Sequence, residues 1–230
     1  MPCNYRSVAL MMLALSLPLS AYDLSHTECV KAARSDDGRF LVVSDTQFEP
    51  SKQFPGAHTV TQITYGIFSQ QEFIYPGADK LTSPMTFWAD SPPLWTVVLG
   101  HDKAVFCPIP LILGSQYLVL LDERRDFYPG WVVMRIYKEP SRTGPASEWG
   151  KGVLVKELTL AELRPGHKLS NGPYTNAGTP MWFAGGTFQW GRDNHSLLYK
   201  SATGEFVSID LNTGSITDCT KQSVYGCTGY

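Results

Sequence analysis

A phrase that recurs three times constrains the fold of this chain more than any other feature. It reads Asp37-Gly38-Arg39-Phe40-Leu41-Val42-Val43-Ser44-Asp45, then Gly114-Ser115-Gln116-Tyr117-Leu118-Val119-Leu120-Leu121-Asp122, then Asp193-Asn194-His195-Ser196-Leu197-Leu198-Tyr199-Lys200. Each copy is a polar turn followed by a short apolar and aromatic run, and the copies start roughly 78 residues apart. Turn-then-strand units at a regular spacing predict a repetitive all-β body. Composition agrees. Only 17% of the 230 residues are charged while 43% are hydrophobic. That leaves few polar helix faces and ample apolar surface for one deep core.

The segments between the copies carry further β signals. Leu94 to Leu99 and Lys103 to Cys107 flank Gly100-His101-Asp102, which reads as a hairpin turn. Trp131 to Tyr137 is rich in β-branched and aromatic residues, so a strand buried on both faces is expected there. Near the end, Ser196 to Lys200, Glu205 to Asp210 and Ser215 to Thr217 are separated by Ala202-Thr203-Gly204 and Asn212-Thr213-Gly214. Three short strands joined by such turns form a meander. One short helix is expected near 160–164. Thr159 and Glu162 have capping-box spacing, and Pro165-Gly166 stops the run.

The final meander, with Leu197-Leu198-Tyr199, Gly204, Phe206 to Asp210 and Asn212-Thr213-Gly214, resembles a blade of TolB-like or WD-type β-propellers. Ser35-Asp36-Asp37-Gly38-Arg39-Phe40-Leu41 resembles the turn and strand that open such blades. The middle copy, from Gly114 through Tyr137 to the Val153–Leu158 strand and the leucine-rich turn ending at Leu163, is similar to uncharacterised exported bacterial proteins. The resemblance implies an all-β, β-propeller-like domain. At about 40 residues per blade it would hold about five blades, with an incomplete ring or a sandwich as alternatives. On that count the recurring phrase opens every second blade. Gln53 to Pro93 fits no blade pattern. Binding and scaffolding are implied; no catalytic motif comes with the family.

Residues 1–21 stand apart. Arg6 precedes an apolar stretch from Val8 to Leu19, broken only by Ser16 and Pro18, and small residues follow at Ser20 and Ala21. This is the pattern of a secretory signal, with an uncleaved N-terminal anchor as its rival. It falls short of the ~20 apolar residues of a stable membrane span. The expectation is therefore a signal peptide at 1–21, a single domain at 22–230, and a secreted or periplasmic location. Without Arg6, 18 basic residues face 21 acidic ones, and no basic run tracks phosphates, which argues against a nucleic-acid partner.

Cys29, Cys107, Cys219 and Cys227 follow the signal, an even number that suggests disulfides in an exported chain. Cys219 with Cys227 would close the loop Thr220 to Gly226. Alternatively Cys29 joins one of that C-terminal pair and ties the chain ends together. No C-x2-C spacing suggests a metal, and no cofactor fingerprint is present.

Catalytic signatures are equally sparse: no nucleophile elbow, no Walker loop and no H-E-x-x-H. His101-Asp102 is an adjacent His–acid pair that a hairpin turn already explains. Asp45, Asp90, Asp122 and Glu123 fall at or near strand ends, where carboxylates could converge in a central funnel as in glycoside hydrolysis. Trp149 and Trp182 lie at loops, where an indole could stack on a sugar or anchor a protein, or pack over a loop base. The expected function is thus non-enzymatic binding of a protein or carbohydrate. A carbohydrate-active hydrolase or lyase is the alternative.

Overall fold

The computed structural model describes residues 32–52, 58–70, 92–100, 108–122, 130–141, 150–163, 182–183, 185–202, 204–220 and 227. These form three four-stranded antiparallel sheets, each with its strands in consecutive order. The first contains β1 (Ala32–Arg34), β2 (Phe40–Pro50), β3 (His58–Ser69) and β4 (Trp95–Gly100). The second contains β5 (Ile109–Leu113), β6 (Tyr117–Leu121), β7 (Val132–Lys138) and β8 (Val153–Thr159). After α1 (Leu160–Leu163) come β9 (Thr187–Trp190), β10 (Ser196–Lys200), β11 (Phe206–Asp210) and β12 (Ile216–Asp218) of the third.

Each copy of the recurring phrase is the first turn and second strand of one sheet. Among the described residues the copies therefore mark three consecutive sheets, where about five blades were expected. β3 lies in the region that fitted no blade pattern. Ile63, Tyr65 and Ile67 face the middle layer at alternate positions and Phe68 is buried on the other face, but His58, the threonines and Gln62 dilute the signal. β4 matches its expectation, while the proposed hairpin mate at 103–107 lies outside the described residues.

The first turns of sheets one and three are the same device. In sheet one, the Asp37 carboxylate accepts from the Arg39 backbone N–H (3.0 Å) and from Ser35 Oγ (2.6 Å), while Gly38 takes a φ of 69°. In sheet three, Asp193 accepts from the His195 and Ser196 backbone N–H groups, while Asn194 takes a φ of 59°. Asparagine is one of the few residues besides glycine that tolerates this left-handed region. The hydrogen bonds Ser35 N–H to Phe40 O (3.0 Å) and Gly191 N–H to Ser196 O (2.8 Å) close both turns alike. Sheet two uses a shorter turn, Gly114 to Gln116, with the left-handed residue placed directly after β5.

Because strand side chains alternate in facing, the second strands can be aligned at Phe40, Tyr117 and Ser196. Leu41, Leu118 and Leu197 then share one face, and Val42, Val119 and Leu198 the other. Leu118 and Leu120 pack with Val42, Ile63, Tyr65, Ile67, Trp95, Val97 and Leu99 of the first sheet. Val119, Leu121, Met134, Ile136 and Leu158 pack with Leu197, Tyr199, Val207 and Ile209 of the third. The second sheet is thus the middle layer. All five residues of β6 are buried, as are Val133 to Tyr137 in β7, in agreement with the doubly buried strand expected there.

Aromatic side chains bolt the layers together through their polar ends. Tyr65 donates its hydroxyl proton to the Pro108 carbonyl (2.6 Å), and the Trp95 indole N–H donates to the Ser115 carbonyl (2.7 Å). Tyr117 donates to Asn212 Oδ1 (2.6 Å) between the second and third sheets. A strap also crosses from sheet one to sheet two. Thr96 N–H donates to Gly150 O (2.6 Å) and Gly152 N–H to Thr96 O (2.7 Å), before the chain enters β8. A Cβ on Gly152 would lie 2.6 Å from the Trp95 ring, so only glycine lets the strap approach.

The helix follows its sequence signal. The Glu162 carboxylate accepts from the Thr159 backbone N–H (2.7 Å), and Glu162 N–H donates to Thr159 Oγ1 (3.3 Å). This is the reciprocal capping box, and it buries Leu160 and Leu163 against the core. At the C-terminal end Cys219 and Cys227 are disulfide-paired, with a Cα–Cα distance of 5.7 Å. A pair so engaged leaves no partner there for Cys29, which lies outside the described residues with Cys107. β1 belongs to the first sheet and β12 to the third, so the N-terminal strand does not complete the last sheet. Among the described residues no closed ring is present.

Candidate functional site

The most polar feature of the interior sits in the middle sheet, within the run expected to form a doubly buried strand. Arg135 lies in β7 between Met134 and Ile136 and is 4% exposed. Its side chain points to the same face as Leu120, its cross-strand partner, and therefore toward the first sheet. Nε donates to Glu157 Oε1 of β8 at 3.1 Å, and Nη1 lies 4.0 Å from Asp122 Oδ2 at the end of β6. Register explains the arrangement, since Arg135 is directly opposite Glu157 across the β7–β8 pair. A buried guanidinium needs such carboxylates to offset its desolvation. Tyr137, on the same face, has its phenol pushed up to about 12, first by burial, with Arg135 opposing and Glu157 adding to the shift.

Asp122 also serves as a backbone junction. Its N–H donates to Val133 O (2.9 Å), and its carbonyl accepts from the Trp182 indole N–H (2.8 Å). Trp182 is 2% exposed. Phe183, Phe188 and Tyr199 surround its ring edge to face at centroid distances of 5.2, 6.2 and 5.5 Å. Of the two roles open to a loop tryptophan, Trp182 takes the packing one, and its faces are closed to a ligand. Trp149 lies outside the described residues, immediately before the Gly150–Gly152 strap.

Of the carboxylates considered for a central funnel, Asp45 and Asp122 are among the described residues, and they lie in different sheets. Asp122 belongs to the arginine cluster. Asp45 lies on β2 opposite Thr64, on the sheet face turned away from the middle layer, and burial pushes its carboxyl up. Asp90 and Glu123 lie outside the described residues, as do His101 and Asp102. Among the described residues no three metal-ligating side chains gather, and no helix is long and apolar enough to cross a membrane.

A shallow open depression of about 290 Å³ lies beside the β5–β6 turn, lined by Gln116, Tyr117, Lys138, Glu139 and Pro140. It is at the lower bound of small-molecule pockets, about 300–1,000 Å³. Gln116 and Glu139 are joined there by a backbone hydrogen bond of 2.8 Å, which fixes its floor. No family model and no curated protein matches the chain.

Sequence reasoning missed the Asp122–Arg135–Glu157 cluster, although a signal existed. An arginine inside a run expected to be buried on both faces must bring its own counter-charge. A strand with an acid on its buried face, such as Val153 to Thr159 with Glu157, is the place to find it.

Proposed function

We propose that this chain is an exported, non-enzymatic binding or scaffold protein that holds a protein or carbohydrate ligand through the loops of a β-propeller-like body. The observation that carries the reading is the stack of three equivalent meanders. Each is joined face to face with the next through apolar clusters and bonded across by aromatic side chains. Such a frame joined by connections of varied length and composition is the usual arrangement for loop-borne recognition. In this reading the meanders are consecutive blades, and the 142–149 connection with Trp149 contributes to the ligand face. The Cys219–Cys227 pair and the N-terminal apolar segment support a secreted or periplasmic location.

The hydrolase alternative draws no support from the two acids that can be placed. One lies beside Arg135 and the other lies on the face of the first sheet turned away from the middle layer. The discriminating experiment applies the purified mature chain to a glycan array and to protein cross-linking, with Trp149→Ala in parallel. Retention of a ligand that falls about tenfold in the variant, at unchanged unfolding temperature, is the expected result. Release of reducing sugar from a retained glycan favours the hydrolase. Failure to retain any glycan or protein overturns the reading.

A further inference from the structure

The β7–β8 ladder changes register twice. At its ends Val132 is opposite Thr159, Tyr137 opposite Leu154 and Lys138 opposite Val153, all in one register. Between them the pairing is shifted by one residue, with Met134 opposite Leu158, Arg135 opposite Glu157 and Ile136 opposite Lys156. One bulge lies between Val132 and Met134, the other between Ile136 and Tyr137. The first adds Val133 on β7 and the second adds Val155 on β8, so the two shifts cancel. Val133 and Met134 accordingly both pack in the cluster shared with the third sheet, although successive strand residues normally face opposite ways.

A ladder without bulges would join the same ends. It would place Met134 opposite Glu157, Arg135 opposite Lys156 and Ile136 opposite Val155. Each bulge leaves a residue unpaired, so backbone pairing favours the regular form. Burial chooses weakly between the two, because β7 is apolar at nearly every step and covered on both faces. Charge chooses strongly. The regular form sets two cations directly opposite each other and turns the Glu157 carboxylate to the face of Met134, into an apolar cluster. In the observed form Arg135 Nε donates to Glu157 Oε1 (3.1 Å), with Asp122 at 4.0 Å from Nη1. Lys156 turns the other way, its Nζ 3.3 Å from Glu162 Oε1. Its stem lies against Gly214 in the turn before β12, where an added Cβ would come within 2.5 Å.

We propose that Arg135, Lys156 and Glu157 form a register lock. The opposite charge of Glu157 and the like charge of Lys156 hold three residue pairs one step out of register, against a regular ladder that the same backbone could form. The lock also keeps Lys156 on the third sheet's side of the layer, where it meets Glu162 and the Gly214 turn. Both forms share their ends, so the lock acts within the sheet and holds whatever the loops bind.

The test reads the register directly, from cross-strand nuclear Overhauser contacts between backbone protons of β7 and β8 in the purified chain. In the unsubstituted protein position 135 should meet position 157. Two double variants reverse the charge pattern: Lys156→Glu with Glu157→Val, and Arg135→Glu with Glu157→Val. In each, opposite charges meet only in the regular ladder, and the contact of position 135 should move by one residue to position 156. Glu157→Val alone leaves Arg135 facing Lys156 in the regular form, so it should keep the shift or lose the fold. Thermal unfolding of each variant establishes that it folds. A move to position 156 in a folded double variant, without one in Glu157→Val, is the supporting result. A regular ladder in the unsubstituted protein or in Glu157→Val overturns the proposal, as does a shifted ladder in a folded double variant. Failure of both double variants to fold overturns it as well, because the regular ladder would then be no alternative to hold against.

Discussion

The middle sheet and the first sheet are built from the same four-stranded meander, yet their sequences obey different rules. In β6 every residue is buried, whereas β4 alternates buried Trp95, Val97 and Leu99 with outward Thr96, Val98 and Gly100. The difference comes from position in the stack and not from the repeat itself. A sheet covered on both sides needs apolar residues at every step, and a sheet covered on one side needs them only at alternate steps. Leu41 and Leu118 make the contrast clean. They are the same residue at the same strand position on the same face, but only Leu118 has a sheet packed against that face. Leu118 is fully buried and Leu41 is half-buried.

The largest effect expected from that contrast is in core truncation. Leu118→Ala should lower unfolding free energy by about 3–4 kcal/mol through lost transfer energy and a residual cavity. Leu41→Ala should cost about 1 kcal/mol, the centre of the range for point substitutions. Urea denaturation at equal m-value measures both. Equal losses would mean that the outward face of the first sheet is as closely packed as the middle layer.

The interlayer bolts give the next largest effect. Tyr65 and Tyr117 each donate a hydroxyl proton to the following sheet or its lead-in, but Tyr65 is fully buried and its acceptor, the Pro108 carbonyl, is buried too. Tyr65→Phe therefore leaves an acceptor without its donor and should cost about 1.5–3 kcal/mol. Tyr117→Phe frees Asn212, which sits on an exposed turn, and should cost about 0.5–1 kcal/mol. Burial raises the Tyr117 phenol first, and Asp210 adds to the shift. The bond to Asn212 is donated by the neutral phenol, so alkaline spectrophotometric titration of the Asn212→Ala variant should move the phenol down. An unchanged titration would mean that the bond to Asn212 does not persist in solution.

The contrast between layers also explains what was legible in the sequence. The turns and second strands of all three sheets were legible, because Asp37-Gly38, Gly114-Ser115 and Asp193-Asn194 punctuate apolar runs. So was the capping box at Thr159 and Glu162. β3 was not, because its apolar residues Val60, Ile63, Tyr65, Ile67 and Phe68 are spread among threonines, Gln62 and Gly66 that look like loop. The number of sheets was also hidden. Spacing along the chain measures connections as well as strands, and nothing in the composition of those connections reveals how many strands they contain. The arginine cluster was obscured for a different reason. Its members Asp122, Arg135 and Glu157 come from three strands, and only the register of the antiparallel ladder brings them together. Trp182 lay between two roles on sequence, and its contacts with Asp122 and Tyr199 decided for packing.

The smallest expected effect distinguishes the turns. Sheets one and three open with an aspartate-capped turn, and sheet two opens with Gly114-Ser115-Gln116, which has no acid. The Ser35 hydroxyl, the Arg39 backbone N–H and the Arg39 side chain hold the Asp37 carboxyl down to about 2. Burial would push Asp193 up, but hydrogen bonds from Ser196 and His195 and the adjacent imidazole outweigh it and leave that carboxyl lowered as well. A carboxyl with a lowered folded-state pKa binds fewer protons folded than unfolded. Its stabilisation is therefore complete above the ordinary aspartate pKa and is lost as pH falls through the folded value. The first and third turns should loosen on acidification from the ordinary carboxylate range toward pH 2, while the second does not respond. The amide resonances of Arg39 and His195 should move with the titration of their caps, and that of Gln116 should stay still over the same range. Asp37→Asn should abolish the Arg39 titration and leave that of His195 intact. A shared midpoint for all three amides would mean that acid acts on the stack as a whole, and the equivalence of the two capped turns would then be one of shape alone.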